Sequence, residues 1–195
     1  TENACGMVRR CEDPFFLYLA YTAPHWPLHA RAEDVAGYDG VYDHGWDATR
    51  TARHEELNGK RLLRANWDIS PRDPDAPPFA KVSYKDWEAA RMATYAAMIT
   101  QMDRGIGRLI ETMEAKGELN NTLILFLSDN GGCAELMEED GWARFYPRQN
   151  HDGSIMAMGN HTGLSPGGRE TFMSYDLPWA NVSNAPFRSF KHWIH

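Results

Sequence analysis

The sequence has no excess of basic residues and few cysteines. Its 195 residues include 20 lysines and arginines against 27 aspartates and glutamates, which gives a formal net charge of −7. This charge excludes a nucleic-acid binder that relies on phosphate neutralisation. Three cysteines are too few for a disulfide framework, and we interpret Cys5, Cys11 and Cys133 as buried or idle thiols.

Long apolar segments are also missing. The longest run, residues 15–23, is far shorter than the roughly 20 residues that a membrane-spanning helix needs, so no membrane span is expected. Core-forming material is plentiful, since 43% of the residues are hydrophobic and 12% are aromatic. This composition is typical of a folded domain and argues against a disordered chain.

Two continuous apolar runs, residues 14–22 and 122–127, have the length of strands that are covered on both faces. Between them, near-helical spacing of apolar residues predicts a long helix over about 84–116. Ser83 can cap its start and Gly117 can close its end. A strand, a helix and a second strand form the βαβ unit of a parallel sheet, so the sequence predicts an α/β fold.

The other segments give weaker signals. Residues 45–63 have the spacing of a moderate amphipathic helix, and the prolines of residues 70–78 predict an irregular linker. Residues 135–179 are polar and show no sustained period, so we expect long loops that form the wall of a pocket. The chain begins at Thr1 without a methionine, and we expect it to be an excerpt of a longer protein.

His25 and the pair Asp129 and Asn130 come directly after the two apolar runs. Ligands of a parallel sheet bind beyond the carboxyl ends of its strands, and we therefore expect these residues at one common rim. A carboxylate and an amide oxygen suit Ca²⁺ or Mg²⁺, and a histidine can donate a proton to a leaving oxygen. Taken alone, the Asp-Asn-Gly-Gly sequence is more typical of a turn, and His25 is more typical of an ordinary loop histidine.

Together, five segments resemble the sulfatase family, the arylsulfatase-like branch of the alkaline-phosphatase superfamily. The resemblance implies the α/β fold of that superfamily with its parallel-sheet core. It also implies that residues 1–195 are the central part of the catalytic domain, incomplete at both ends, without the nucleophile region and the C-terminal subdomain. The segments are PFFLYLAYTAPHWPLH (14–29), YDGVYDHGW (38–46), YAAMITQMDRGIG (95–107), LILFLSDNGG (123–132) and WANVSNAPFRSFK (179–191).

The resemblance implies roles for four residues. Asp129 and Asn130 resemble two ligands of the active-site calcium in this family. His25 resembles the histidine that contacts the bridging oxygen of the sulfate ester. Lys191 resembles the lysine that binds the sulfate and offsets charge on the departing alcohol. These roles agree with the chemistry of the groups, because a cation stabilises negative charge and a proton prevents the release of a bare alkoxide.

The nucleophile of the family is missing from this sequence. In sulfatases it is a formylglycine made from the first residue of a Cys/Ser-x-Pro/Ala-x-Arg motif. Ser183-Asn-Ala-Pro-Phe is a near miss, because Phe187 stands where arginine is required. The resemblance therefore implies a sulfuric ester hydrolase that uses calcium and formylglycine in the full-length protein, and we expect the isolated chain to be inactive.

Two other functions stay open at this point. A phosphatase or phosphodiesterase of the same superfamily would share the sheet and its rim, although such two-metal enzymes usually carry Asp-His where this chain has Asp129 and Asn130. The other alternative is a non-catalytic, truncated fragment. For a sulfatase, the expected partner is a small-molecule or carbohydrate sulfate ester, and the expected location is the periplasm, the lysosome or the extracellular space.

Overall fold

The computed structural model describes residues 1–64 and 67–193. Within them, two short strands pair in parallel, with Ala157 opposite Thr171 and Met158 opposite Phe172. Short 3₁₀ turns lie at Phe79–Lys81, Leu119–Asn121 and Trp142–Phe145. The helices and strands are α1 (Glu2–Arg10), α2 (Ala32–Ala36), α3 (Gly45–Gly59), α4 (Lys85–Ala115), β1 (Ala157–Met158), β2 (Thr171–Phe172) and α5 (Asp176–Ser183).

Helix α4 confirms the long helix predicted from apolar spacing, and it runs for 31 residues. Its predicted end is also confirmed, because Gly117 adopts φ +78° and its N–H donates to the carbonyl oxygen of Glu114 at 2.9 Å. The predicted cap is wrong, since the helix begins after Tyr84 and Ser83 makes no capping hydrogen bond. Across the described ranges, no helix is both long and apolar enough to cross a bilayer.

Helix α1, and not the predicted strand at 14–22, is the first ordered element. It packs on α4 and buries Cys5 and Val8. The ammonium of Lys116, just beyond the end of α4, donates to the carbonyl oxygens of Val8 and Cys11. These two acceptors belong to the last turn of α1 and the residue after it, where backbone carbonyls have no partner inside the helix.

The two apolar runs do not form the predicted strands in the described structure, and the βαβ unit is therefore absent from it. Leu123, Leu125, Phe126 and Leu127 are between 73% and 85% exposed. A strand needs neighbours that accept its N–H groups and donate to its carbonyls, and within the described residues these runs make only local turn bonds at one end each. The parallel pairing lies instead in residues 135–179, which were predicted to be loops, because strands of two residues have no detectable period.

Aromatic side chains join the helices into a core. The ring of Trp46 on α3 lies 4.8 Å from Phe79 and 5.5 Å from Trp179 on α5, measured between ring centroids. Both indoles also donate hydrogen bonds, Trp46 to the carbonyl of Pro77 and Trp179 to that of Glu88 on α4. Helix α3 confirms the prediction for 45–63 but ends four residues earlier, and residues 70–78 are irregular as predicted.

Arg91 connects α4 to the start of α5. Its side chain is 2% exposed, and Nη1 donates to the carbonyl oxygen of Ser174 at 2.8 Å and to Oδ2 of Asp176 at 2.6 Å. Nη2 donates to Glu88, and the guanidinium lies over the ring of Trp87. Burial raises the pKa of both carboxylates, and the charge of Arg91 counteracts that rise. Arg91 therefore fixes the position of the start of α5 relative to α4.

Replacing Arg91 by leucine leaves the carboxylates of Glu88 and Asp176 buried without a cation. We expect Arg91→Leu to lower the free energy of unfolding by about 3–5 kcal/mol, measured by urea denaturation at pH 7. The matched control is Lys60→Leu, which removes a surface pair with Glu56. That change should cost less than about 0.5 kcal/mol. Equal losses in the two variants would contradict the role of Arg91.

Candidate active site

His25 and Lys191 are in contact, although they are 166 positions apart in the chain. Nζ of Lys191 lies 3.0 Å from Nε2 of His25. On the other side of the ring, Nδ1 lies 2.9 Å from the carbonyl oxygen of Trp26. Because a carbonyl oxygen can only accept, Nδ1 carries the proton of this bond and Nε2 is the acceptor for the ammonium. A hydrogen bond from Nζ of Lys191 to Nε2 of His25 therefore joins the two residues.

Glu135 is a site residue that the sequence did not reveal. Its Oε2 accepts a hydrogen bond from Nε1 of Trp26 at 2.7 Å and another from the thiol of Cys133. Its Oε1 lies 3.1 Å from Nε2 of His192 and 3.6 Å from Nζ of Lys191. Glu135 lies in a polar region without a hydrophobic period, where no sequence pattern distinguishes it from other glutamates. Its contacts in the structure identify it as a site residue.

The environment of Glu135 favours the charged carboxylate. Burial acts to raise its pKa, but the hydrogen bonds from Cys133, Trp26 and His192 and the charge of Lys191 outweigh burial and lower the pKa to about 2. The same environment raises the pKa of the Cys133 thiol to about 11, because the thiol is buried and donates to a carboxylate. At neutral pH, Glu135 is therefore an anion beside a protonated thiol.

The loop that carries Asp129 and Asn130 is tied to the segment that carries Lys191. The N–H of Gly132 donates to Oδ1 of Asn184 at 2.8 Å, and the N–H of Lys191 donates to the carbonyl oxygen of Gly132 at 3.0 Å. Asn184 also donates from Nδ2 to the carbonyl of Ser189 at 2.8 Å. These hydrogen bonds hold the loop of Asp129 and Asn130 against the segment of Lys191.

Asp129 and Asn130 themselves are exposed on this loop. Neither side chain hydrogen-bonds to any residue of the described ranges, so a carboxylate and an amide oxygen remain available to a ligand. Oxygen donors of this kind are those that calcium prefers. The donor set therefore fits a hard cation, and the role of the two residues as calcium ligands stays a prediction.

An aromatic cluster supports the loop of His25. The ring of Trp26 lies 5.2 Å from Tyr146 and 5.9 Å from Phe172 on β2, between centroids. The N–H of Leu28 donates to the carbonyl of Met173 at 2.9 Å. Parts of residues 135–179 therefore border the site, and this segment also supplies Glu135. His29 donates from Nε2 to the carbonyl of Thr171 at 2.7 Å.

Comparison with known proteins identifies the family. A family model described as sulfatase matches residues 2–167. The chain belongs to the sulfatase family. The matched range includes His25, Asp129 and Asn130 and ends before Lys191. Family membership implies the alkaline-phosphatase-like α/β fold, of which the described residues show helices and one small parallel sheet.

Several curated proteins are similar to this sulfatase chain. An uncharacterized sulfatase of Schizosaccharomyces pombe is 32% identical over 190 residues, which are 95% of this chain and 33% of that protein. An arylsulfatase of Klebsiella aerogenes is 32% identical over 194 residues, covering 92% of this chain and 37% of that protein. The chain thus spans about a third of the length of these relatives. A multifunctional alkaline phosphatase superfamily protein, PehA of Trinickia caryophylli, is 30% identical over 139 residues, covering 67% and 26%.

Gly132 leaves no space for a side chain. A Cβ at this position would lie 2.6 Å from Oη of Tyr175 and 3.3 Å from the carbonyl oxygen of Ala180. We expect Gly132→Ala to lower the free energy of unfolding by about 1–3 kcal/mol, measured by urea denaturation. Gly107→Ala on α4 is the control, because its Cβ would meet nothing within 4 Å. That change should stabilise the chain by about 0.5–1 kcal/mol, and a stable Gly132→Ala protein would contradict the tight fit.

Glu135→Gln removes a carboxylate whose folded-state pKa is about 2, below the usual value of 4.5. A lowered pKa stabilises the fold above the unfolded-state value, and this contribution is lost as the pH falls through the folded-state value. We expect Glu135→Gln to cost on the order of 2 kcal/mol at pH 7, and the difference from wild type to shrink from about pH 4.5 towards pH 2.

The measurement is urea denaturation of wild type and variant at a series of pH values from neutral to acid. Glu114→Gln, at an exposed position of α4, is the matched control for the change in charge. It should change the free energy of unfolding by less than about 0.5 kcal/mol. A Glu135→Gln loss that stays constant over the whole pH range would show that the charge of Glu135 is not the cause.

Proposed function

We propose that the protein hydrolyses an organic sulfate ester, with His25 and Lys191 at the departing alcohol and Asp129 and Asn130 as calcium ligands. The observation that carries the proposal is the contact between Nζ of Lys191 and Nε2 of His25. Membership of the sulfatase family supports the reaction class. Because the chain spans about a third of its relatives, the activity is proposed for the whole protein, of which this chain would be the central part.

Lys191 and His25 have the chemistry that a departing alcohol requires. Cleavage of the S–O bond leaves negative charge on the bridging oxygen, and a proton delivered there avoids a free alkoxide. The two nitrogens lie 3.0 Å apart and hold a proton between them. In our proposal the ammonium of Lys191 also binds the sulfuryl oxygens, since its charge is opposite to theirs.

Glu135 is proposed as a positioning residue. Its carboxylate lies near Nζ of Lys191 and accepts the indole N–H of Trp26, the residue next to His25. It therefore acts on both members of the pair without touching substrate. The charge of Lys191 is one of the causes that lower the pKa of the Glu135 carboxylate to about 2.

Asp129 and Asn130 are proposed to hold calcium. Bound there, the ion would draw electron density from the sulfuryl oxygens of the ester. The formylglycine nucleophile of the family has no matching pentapeptide in these 195 residues, and we assign no step of the attack to this chain. The carbohydrate or small-molecule nature of the ester, and action in the periplasm, the lysosome or outside the cell, rest on the resemblance alone.

The test is hydrolysis of an aryl sulfate by the full-length protein, expressed together with the enzyme that generates formylglycine. We expect His25→Ala and Lys191→Ala each to lower kcat by at least about 100-fold, because proton transfer and charge stabilisation are lost. Lys60→Ala, at an exposed lysine directly after α3, serves as the control and should keep wild-type activity. Unchanged turnover in the His25 and Lys191 variants would refute the assignment.

A phosphatase or phosphodiesterase activity is the second candidate, favoured by the similarity to a multifunctional alkaline phosphatase superfamily protein. Metal analysis of the full-length protein separates the two functions. One calcium ion per chain favours sulfuryl transfer, whereas a pair of zinc ions favours phosphoryl transfer. The donor pair argues for calcium, because an amide oxygen at Asn130 is a poor zinc ligand compared with an imidazole.

A further inference from the structure

Around the proposed His25 and Lys191 pair, three side chains of the types that bind metals lie close together. A ring nitrogen of His25, Sγ of Cys133 and a carboxylate oxygen of Glu135 all lie within 4.8 Å of one another. Cys133 is buried, Glu135 is half-buried, and His25 is more exposed. Adjacent tetrahedral ligands of zinc are separated by roughly 3.3–3.8 Å, given metal–ligand distances of about 2.0–2.3 Å. Small side-chain movements therefore bring the three atoms to coordination distance.

The ligand types distinguish this cluster from the Asp129 loop. A nitrogen, a sulfur and an oxygen form a set typical of zinc and other thiophilic divalent cations, and calcium avoids it. Trp26 orients two of the three ligands, since its carbonyl accepts from Nδ1 of His25 and its indole donates to Glu135. Because Nδ1 carries the proton of the bond to Trp26, Nε2 of His25 has the lone pair that can bind a metal, and metal-binding histidines are usually held in this way.

A cation already lies at this cluster, namely the ammonium of Lys191. It is 3.0 Å from Nε2 of His25 and 3.6 Å from Oε1 of Glu135. The Lys191 side chain is 25% exposed, so that it can turn towards solvent. An incoming metal ion would compete with this ammonium for the same nitrogen and the same carboxylate.

We propose that His25, Cys133 and Glu135 form a binding site for a zinc-class divalent cation, which displaces Lys191. On binding, the Cys133 thiol releases its proton to solvent and its sulfur bonds the metal. The lone pair of His25 Nε2 and one oxygen of Glu135 supply two further bonds, and a water molecule completes the tetrahedron. The ion would inhibit the sulfatase, because it occupies His25 and expels Lys191, and this second step rests on the proposed function.

Cobalt(II) is the probe, since a thiolate ligand gives it a near-ultraviolet charge-transfer absorption and tetrahedral geometry gives it visible bands. We expect both signals when Co²⁺ is added to the 195-residue chain, and their loss when Zn²⁺ follows. Cys133→Ser should abolish the thiolate band, and Glu135→Gln should weaken binding at least about tenfold. Cys11→Ser, at the partly exposed cysteine, is the matched control and should keep the wild-type spectrum.

Lys191→Met gives the sharpest test, because it removes the competing ammonium while keeping the length of the side chain. We expect it to tighten cobalt binding by about tenfold. Unchanged or weaker binding in Lys191→Met, or a thiolate band that persists in Cys133→Ser, would overturn the proposed site. Asp129→Ala should leave the spectrum unaltered, and its loss there would place the ion at the calcium ligands instead.

Inhibition is measured separately on the full-length enzyme. Zinc should lower aryl sulfate turnover of the wild type, and the ratio of rates with and without zinc should rise towards one in Cys133→Ser. A normal cobalt spectrum with no inhibition would refute the inhibitory step and the proposed roles of His25 and Lys191 while leaving the metal site standing. Absence of cobalt binding would refute the metal site whatever the activity.

Discussion

The carboxylate of Glu135 is the interaction on which the site depends. A half-buried anion must be compensated, and here the compensation comes from three different stretches of chain: Trp26, Cys133, and the Lys191 and His192 pair. Trp26 and Cys133 lie at Oε2, and Lys191 and His192 lie at Oε1. Satisfying one charge therefore fixes the loop of His25 and the segment of Lys191 relative to each other.

Local patterns predicted two of the helices, α3 and α4, whereas α1, α2 and α5 were not predicted. Helix α4 and helix α3 follow from apolar spacing, and the end of α4 follows from Gly117, because these signals act between residues a few positions apart. The strands were predicted less well, since residues 14–22 and 122–127 have the composition of buried strands but make no strand pairing among the described residues. Composition indicates whether a segment can be buried, whereas strand pairing depends on residues that are far away in the sequence.

The site shows the same division. His25 and Lys191 were singled out because their segments resemble a family, and the structure brings their side chains into contact. Glu135 had no such signal, because its importance arises from partners more than 50 residues away. Cys133 was interpreted as an idle thiol, yet it lies within the cluster and donates to Glu135. Proximity in space, and not residue type, distinguishes it from Cys11.

The apolar run at 123–127 has one further consequence for the oxygen pair that follows it. Only Ser128 separates Leu127 from Asp129, so any surface that covers the apolar run also restricts the movement of the Asp129 carboxylate. Ordering a flexible ligand beforehand lowers the entropy lost when an ion is captured. At the proposed calcium site, ion affinity would therefore be coupled to the packing of this apolar run, and a mutation that loosens the packing would weaken ion binding without altering a coordinating atom.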